Sequence, residues 1–156
     1  MQAPTHFLMG ILIYKIFENL ITPLNICWNI LLVYPLIILS HFLIDAIAKI
    51  TYHVPDARPQ DKFWLGYHIF ILGLTLFFIF WFWNPFILAM FFSVLVDIID
   101  WGILRAIRKR EPIIHPIIDK FRNSLFSWLP ELIEKKWTVI NEFTIISILL
   151  ILIYIL

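Results

Sequence analysis

The sequence predicts an all-α membrane protein, a polytopic bundle of about five transmembrane helices with one interfacial amphipathic segment. Of its 156 residues 62% are hydrophobic and 15% are charged, whereas a soluble domain has about 45–50% apolar and about 25% charged residues. The mean hydropathy is +0.89. The apolar residues form helix-length runs that are separated by proline, asparagine and charged residues. A chain of this length is expected to form a single integral membrane domain.

Five apolar runs are long enough to be predicted as spans. The first is short for a span of about 20 residues, and the pair Thr22-Pro23 follows it. Pro35 should kink the second span, and Asn84-Pro85 predicts a tight turn between the third and the fourth. The predicted spans are residues 4–17, 26–50, 63–83, 86–107 and 139–156.

Residues 111–137 differ from these runs because charged residues alternate there with isoleucine, phenylalanine, leucine and tryptophan. This composition predicts amphipathic helix at the membrane interface. Threading the five spans places eleven of the twelve lysines and arginines on the side where the chain begins, and only Lys15 on the other side. The positive-inside rule therefore predicts a cytoplasmic N-terminus in the inner membrane.

Six ionisable residues lie within the apolar runs, where such groups are expensive and usually face the protein interior or a wet cavity. With a rise of 1.5 Å per residue, all six should lie roughly 5–15 Å from the cytoplasmic ends of their helices. His41 and Asp45 are four residues apart, so they share one face of the second span. Asp97 and Asp100 are three residues apart and share one face of the fourth. The six residues are His6, His41, Asp45, His68, Asp97 and Asp100.

Three imidazoles and three carboxylates could ligate one divalent metal ion, or two ions that share a carboxylate. Because no thiolate accompanies them, the set favours Zn²⁺, with Mn²⁺, Fe²⁺ and Mg²⁺ as alternatives. Local partners remain an alternative for individual residues: Asp45 could pair with Lys49, and Asp100 could face water near Arg105. Convergence of all six is the stronger expectation, because buried carboxylates need partners.

The segment Ser40-His41-Phe42-Leu43-Ile44-Asp45, with the loop Pro55-Asp56-Ala57-Arg58-Pro59 after it, resembles the Ser-His-x-x-x-Asp element of the membrane-bound metal-dependent hydrolases. These small multi-helix proteins are related in motif to zinc-dependent phospholipase C. The N-terminal Ala3-Pro4-Thr5-His6-Phe7-Leu8 is similar to their early histidine, and Asp97-Ile98-Ile99-Asp100 is similar to their Asp-x-Asp-His segment. The resemblance implies metal-ligand roles for His41, Asp45 and His6.

A site of this kind predicts a hydrolase that acts on a lipid-linked phosphoester at the cytoplasmic interface, with membrane lipid as its partner and no nucleic acid. Asp100 is the expected general base, with Asp97 as the alternative. Arg58 and Arg105 are expected to stabilise the charge that develops on the substrate. His53 and His115 are expected to be solvated, although His53 could reach the mouth of the site. Two alternatives stay open, a divalent-cation transporter or channel component and a structural subunit with a buried polar cluster, and the oligomeric state is also open.

Overall fold

A computed structural model describes residues 1–20, 26–54 and 57–156. This part of the chain contains helices and no strand, so the predicted all-α class is confirmed. The predicted breaker Thr22-Pro23 and the loop residues Pro55 and Asp56 lie outside the described residues. The seven helices are α1 (Ala3–Leu20), α2 (Ile26–Ile50), α3 (Lys62–Trp81), α4 (Trp83–Ser93), α5 (Leu95–Ile107), α6 (His115–Leu125) and α7 (Lys136–Ile155).

Three helices, α2, α3 and α7, are long and apolar enough to cross a membrane. The helices α4 and α5 give a fourth candidate if they are counted as one span that bends by 51°. The predicted first span, α1, is not among these candidates, because His6, Lys15 and Glu18 lower its hydropathy. The described chain is therefore a helical bundle with three or four candidate membrane spans.

Helix α1 is the central element, since it packs against α2, α4 and α7. Leu8 and Ile11 are completely buried on it. A side chain at Gly10 would place its Cβ 2.8 Å from the Ala89 carbonyl oxygen and 2.9 Å from the Ser93 Cβ. Glycine at this position therefore allows the close approach of α1 to α4, as small residues do in membrane bundles.

Two helices depart from regular α geometry. In α2, a π-helical stretch over Asn29–Val33 comes directly before Pro35, because proline cannot donate a hydrogen bond to the preceding turn. The predicted span 86–107 is not continuous, and it breaks at Val94. At this break the Ser93 carbonyl accepts a hydrogen bond from Nδ1 of His41 on α2. The break therefore supplies a hydrogen-bond acceptor to a neighbouring helix.

The bundle has two chemically different ends. At the site end, where α1, α3 and α7 begin and α2 and α5 end, Asn141 donates a 2.6 Å hydrogen bond to the Ile50 carbonyl. At the opposite end Lys15 donates to the Ile153 carbonyl at 2.5 Å. Many large apolar side chains of α3 and α7 are exposed along the bundle, as expected of surfaces that face lipid.

Candidate metal centre

Four side chains at the site end, here called the quartet, meet at one point: His41, Asp45, Asp97 and His115. They come from α2, α5 and the first residue of α6. One ligand atom from each lies within 4.8 Å of the others. His41 Nε2 is 3.3 Å from Asp45 Oδ2 and 3.6 Å from Asp97 Oδ1. His115 Nε2 is 3.5 Å and 3.2 Å from the same two oxygens. This group could hold a metal ion.

The ring of His41 is oriented as a metal ligand would be. It is completely buried, and its Nδ1 lies 2.8 Å from the Ser93 carbonyl oxygen. Because a carbonyl can only accept, Nδ1 carries a proton, and this leaves Nε2 as the nitrogen whose lone pair could bind a metal ion. That Nε2 atom is buried without a hydrogen-bond partner among the described residues. A backbone acceptor that fixes the tautomer is the usual outer contact of a metal-bound histidine.

Asp100 lies behind His115 instead of within the quartet. Its carboxylate accepts hydrogen bonds from the backbone N–H groups of Ile113 (3.1 Å), Ile114 (2.9 Å) and His115 (2.7 Å). It also accepts one from His115 Nδ1 at 2.8 Å. Asp100 thus caps the start of α6 and aims His115 Nε2 at the quartet. The structure thus places Asp100 next to the quartet and outside the group of four, and its roles as a ligand and as the general base stay predictions.

The second nitrogen of His115 faces negative charge. Its Nε2 is close to Asp45 and Asp97, and it also accepts a hydrogen bond from the Trp101 indole N–H at 3.1 Å. Burial lowers the pKa of His115, but hydrogen bonds to Asp45, Asp97 and Asp100 outweigh that effect and raise the pKa to about 10. Without a metal the surrounding carboxylates therefore favour the protonated ring. A metal ion on Nε2 would take the place of that proton.

Asp45 is shared between the quartet and the first turn of α1. Its Oδ1 is 2.5 Å from the Met1 amine and 3.1 Å from His6 Nε2, whereas Oδ2 faces His41 and His115. The rings of His6 and His41 stack with their centroids 4.1 Å apart. His6 therefore lies against the quartet and contacts it, but it does not belong to the group of four.

A cavity of about 390 Å³ lies over the quartet, and two arginines line it. Arg122 is held in place, because it donates to the Asp45 backbone carbonyl at 3.0 and 3.3 Å and pairs with Asp119 at 2.9 Å. The Arg105 guanidinium lies over the Trp101 ring, 5.1 Å from its centroid. The cavity is thus lined by three members of the quartet, Asp45, Asp97 and His115, and by two guanidinium groups, whereas His41 is completely buried.

His53 also lines this cavity, although it was expected to be solvated. Burial is the main cause that lowers the pKa of His53, to about 3, with a smaller contribution from the nearby N-terminal amine. The ring is therefore neutral at physiological pH. Its buried Nδ1 has no hydrogen-bond partner among the described residues.

Two further residues expected at the site, His68 and Arg58, are not among the members of the quartet or the residues that line the cavity. His68 is not with the quartet: its ring stacks on Trp64 at 4.0 Å, and its Nδ1 donates to the Trp64 carbonyl at 2.7 Å. One turn of α3 thus provides its contacts. Arg58 forms a 2.6 Å ion pair with Glu134 in a half-exposed position, away from the residues that line the cavity. Of the six expected ligands, His41, Asp45 and Asp97 are in the quartet, and His6 and Asp100 contact its members.

Two residues of the site were missed from the sequence, His115 and Arg122. Both lie on α6 together with Asp119, and positions 115, 119 and 122 fall on one side of a helix. That spacing was the available signal, because the apolar residues of the same segment recur on the other side. The high charge of residues 111–137 hid this spacing, because a segment with many charged residues is usually a solvated surface.

A scan against protein-family models finds no match, and searches of curated proteins and of solved structures find none either. The class of protein is therefore defined by the fold and the site alone. It is a helical bundle with apolar helices long enough to cross a membrane, and it carries a buried His/Asp group that could hold a metal ion.

Proposed function

We propose that this protein is a membrane-embedded, metal-dependent hydrolase that cleaves a phosphoester of a membrane lipid at the cytoplasmic face of the inner membrane. The observation that carries the proposal is the quartet at the base of a cavity with arginines on its wall. The fully buried Nε2 of His41 faces the carboxylates of Asp45 and Asp97 at 3.3 and 3.6 Å without a hydrogen bond to a described residue, and this arrangement supports a cation between these groups. The resemblance to the membrane-bound metal-dependent hydrolases is consistent with the same chemistry.

The proposed topology has five spans, formed by α1, α2, α3, the bent pair α4–α5, and α7, with residues 111–137 at the interface. The central packing position of α1 supports its inclusion, because the helices around it bury most of its first half, including His6. The basic residues on the side of the site support a cytoplasmic location for that side.

One Zn²⁺ ion is the metal we propose for the quartet. Donor atoms bonded to a tetrahedral Zn²⁺ at 2.0–2.2 Å lie about 3.3–3.6 Å apart. The four histidine–aspartate separations within the quartet, from 3.2 to 3.6 Å, agree with this spacing, and the other two pairs of atoms lie within 4.8 Å. Ligands of an octahedral ion such as Mg²⁺ would lie closer, at about 2.8–3.0 Å. Two imidazoles with two carboxylates also suit Zn²⁺ better than Mg²⁺.

When bound, such an ion would lower the pKa of water and polarise a phosphoryl oxygen. Catalytic zinc sites keep a position open for water or substrate. Asp97 has the most exposed side chain of the quartet, at 31%, and it lines the cavity. We assign Asp97 the role of general base, because its carboxylate is the most accessible of the quartet and could accept a proton from a water molecule in the cavity.

The guanidinium groups of Arg105 and Arg122 recognise the phosphate in this proposal. Guanidinium groups bind phosphate oxygens in a forked geometry and stay charged at all physiological pH values. Arg122 has five N–H donors, and its partners Asp45 and Asp119 engage three of its nitrogens, so further donors remain for a ligand. The lipid tail would remain in the bilayer while the headgroup phosphate enters the cavity.

The proposal is tested by phosphate release from lipid phosphates in nanodiscs, with the chain as purified, after chelation, and after Zn²⁺ is restored. The expected result is turnover that chelation abolishes and Zn²⁺ restores. An Asp97→Asn variant should lose at least about 10²-fold in rate, and His68→Ala, a histidine of the same bundle outside the site, should keep full activity. Turnover that resists chelation would contradict the proposal. So would zinc uptake into proteoliposomes without any hydrolysis, which would indicate a transporter.

A further inference from the structure

On helix α6 the buried residue Ile118 lies between a polar side and an apolar side. The polar side carries His115, Asp119 and Arg122, all of which line the cavity. The other side, here called the apolar flank, consists of Ile117, Phe121 and Leu125, which follow one another at helical spacing. Their exposed fractions are 54%, 37% and 58%. Large apolar side chains aligned in this way on a helix surface mark an interaction site.

Positive charge accompanies the apolar flank. Arg108, Lys109 and Arg110 directly precede the segment that leads into α6, and Lys120 lies on the outward side of the helix. All four side chains are exposed, and none forms an ion pair with a residue in the described part of the chain. After the helix, Trp128 is also exposed, and tryptophan is the residue most typical of the headgroup layer.

The two ends of this segment are tied to candidate membrane spans. Helix α5 ends at Ile107 and α7 begins at Lys136, so α6 cannot move far from a bilayer that contains them. We propose that the apolar flank of α6 docks into an anionic lipid leaflet, with the neighbouring lysines and arginines at the lipid phosphates. Apolar burial and attraction to anionic headgroups are the two contributions that hold such helices at a surface. This inference does not rest on hydrolysis or on a bound metal.

A docked α6 has a consequence for the site, because the same helix presents His115. Lipid on one side and the Asp100 cap at its start would together fix its orientation. The polar side of α6 then faces the cavity at the level of the headgroups. The geometry thus couples the position of one quartet residue to the composition of the leaflet.

The test measures the depth of single fluorescent labels in nanodiscs. Cys27 is a free cysteine, and a Cys27→Ser background allows Phe121→Cys or Asn123→Cys to be labelled with an environment-sensitive dye. Asn123 is the matched control, since it lies on the exposed outward side of the same helix. In nanodiscs with anionic lipid, the label at position 121 should be quenched by spin-labelled lipid and protected from iodide. The label at position 123 should show the reverse.

The charge requirement is tested by repeating the measurement in zwitterionic nanodiscs and in an Arg108→Gln/Arg110→Gln variant. Quenching at position 121 should fall several-fold in both cases. Equal quenching in anionic and zwitterionic lipid would overturn the proposed preference for anionic headgroups. A label at position 121 that stays open to iodide in all nanodiscs would overturn the docking itself and leave the apolar flank for a protein partner.

Discussion

The two ends of the bundle bury different kinds of side chain, polar at one end and apolar at the other. At the site end, α1 and α2 bury His6, His41 and Asp45. Two and five residues after His6, α1 buries Leu8 and Ile11 in a cluster of apolar side chains from α3, α4 and α7. The apolar cluster needs only close packing. The polar cluster needs a partner for every group, and a cation supplies that partner for several groups at once.

This difference indicates what each end does. The opposite end holds helices together, and an apolar replacement of similar size there would be tolerated. The site end holds charged groups that a purely structural bundle would not require, and its cavity gives them access to a ligand. Substitutions at the two ends should therefore affect different measurements.

The largest effect is expected for Asp45→Asn. Asp45 is 2.5 Å from the Met1 amine and near three imidazoles, so loss of its charge leaves buried cations uncompensated. Breaking a buried pair in this way costs about 3–5 kcal/mol, and metal binding should also be lost. Unfolding in detergent, followed by circular dichroism, gives the first quantity. Ile11→Val, a buried change at the apolar cluster, should cost only about 0.5–1.5 kcal/mol and leave metal binding intact; equal metal loss in both variants would remove the distinction between the ends.

A smaller effect on stability is expected for Gly10→Ala, a position on α1 between the two ends of the bundle. The added Cβ would lie 2.8 Å from the Ala89 carbonyl oxygen, so α4 must shift, at a cost of about 1–3 kcal/mol. Because Ser93 of α4 accepts the His41 hydrogen bond, metal affinity should fall as well. Gly73→Ala is the control, since no atom lies within 4 Å of its added Cβ. Equal melting temperatures for the two variants would contradict the close approach of α1 to α4.

Asp100→Asn should weaken metal binding without removing it. Loss of an outer carboxylate that orients a ligating histidine typically costs 10–100-fold in affinity, about 1.4–2.7 kcal/mol. Competition titration with a chromophoric chelator measures this change. Asp119→Asn, an exposed carboxylate on α6, should leave the affinity within about twofold. A full loss of metal in Asp100→Asn would instead make Asp100 a direct ligand.

The last prediction is a dependence of metal-free stability on pH. The folded pKa of His115, about 10, lies above its usual value of 6.5, so its stabilising contribution is complete below pH 6.5 and is lost as the pH rises to 10. The metal-free chain should therefore become less stable across this window, whereas His115→Gln should show a flatter profile. Thermal unfolding at a series of pH values checks this. A wild-type profile that is as flat as that of the variant would contradict the contacts drawn for His115.

The apolar helices could be predicted from the sequence more completely than the site could. The apolar runs at 26–50 and 63–83 correspond closely to α2 and α3, because breakers and capping residues such as Asp61 act locally. The break at Val94 could not be predicted, since it accompanies a hydrogen bond between Ser93 and a histidine of another helix. Likewise, hydropathy fixes the depth of a residue in a span but not the direction it faces.

His68 shows this limit most clearly. Its depth was predicted to match that of the other ligands, yet its ring packs on Trp64 of its own helix. His115 shows the converse, because its position depends on Asp100 in a different helix and no local pattern of residues encodes that contact. The helix-forming segments were therefore accessible from the sequence, and the pairing of polar side chains between helices was not.

The most direct test of the central claim is the metal content of the purified protein. Elemental analysis of wild-type protein in detergent, after dialysis against a trace of Zn²⁺, should give about one ion per chain. His41→Ala and Asp97→Asn/His115→Gln should give almost none while remaining helical, and His68→Ala should match the wild type. Metal content that is unaffected by the quartet substitutions, or absent from a folded wild type, would contradict the account.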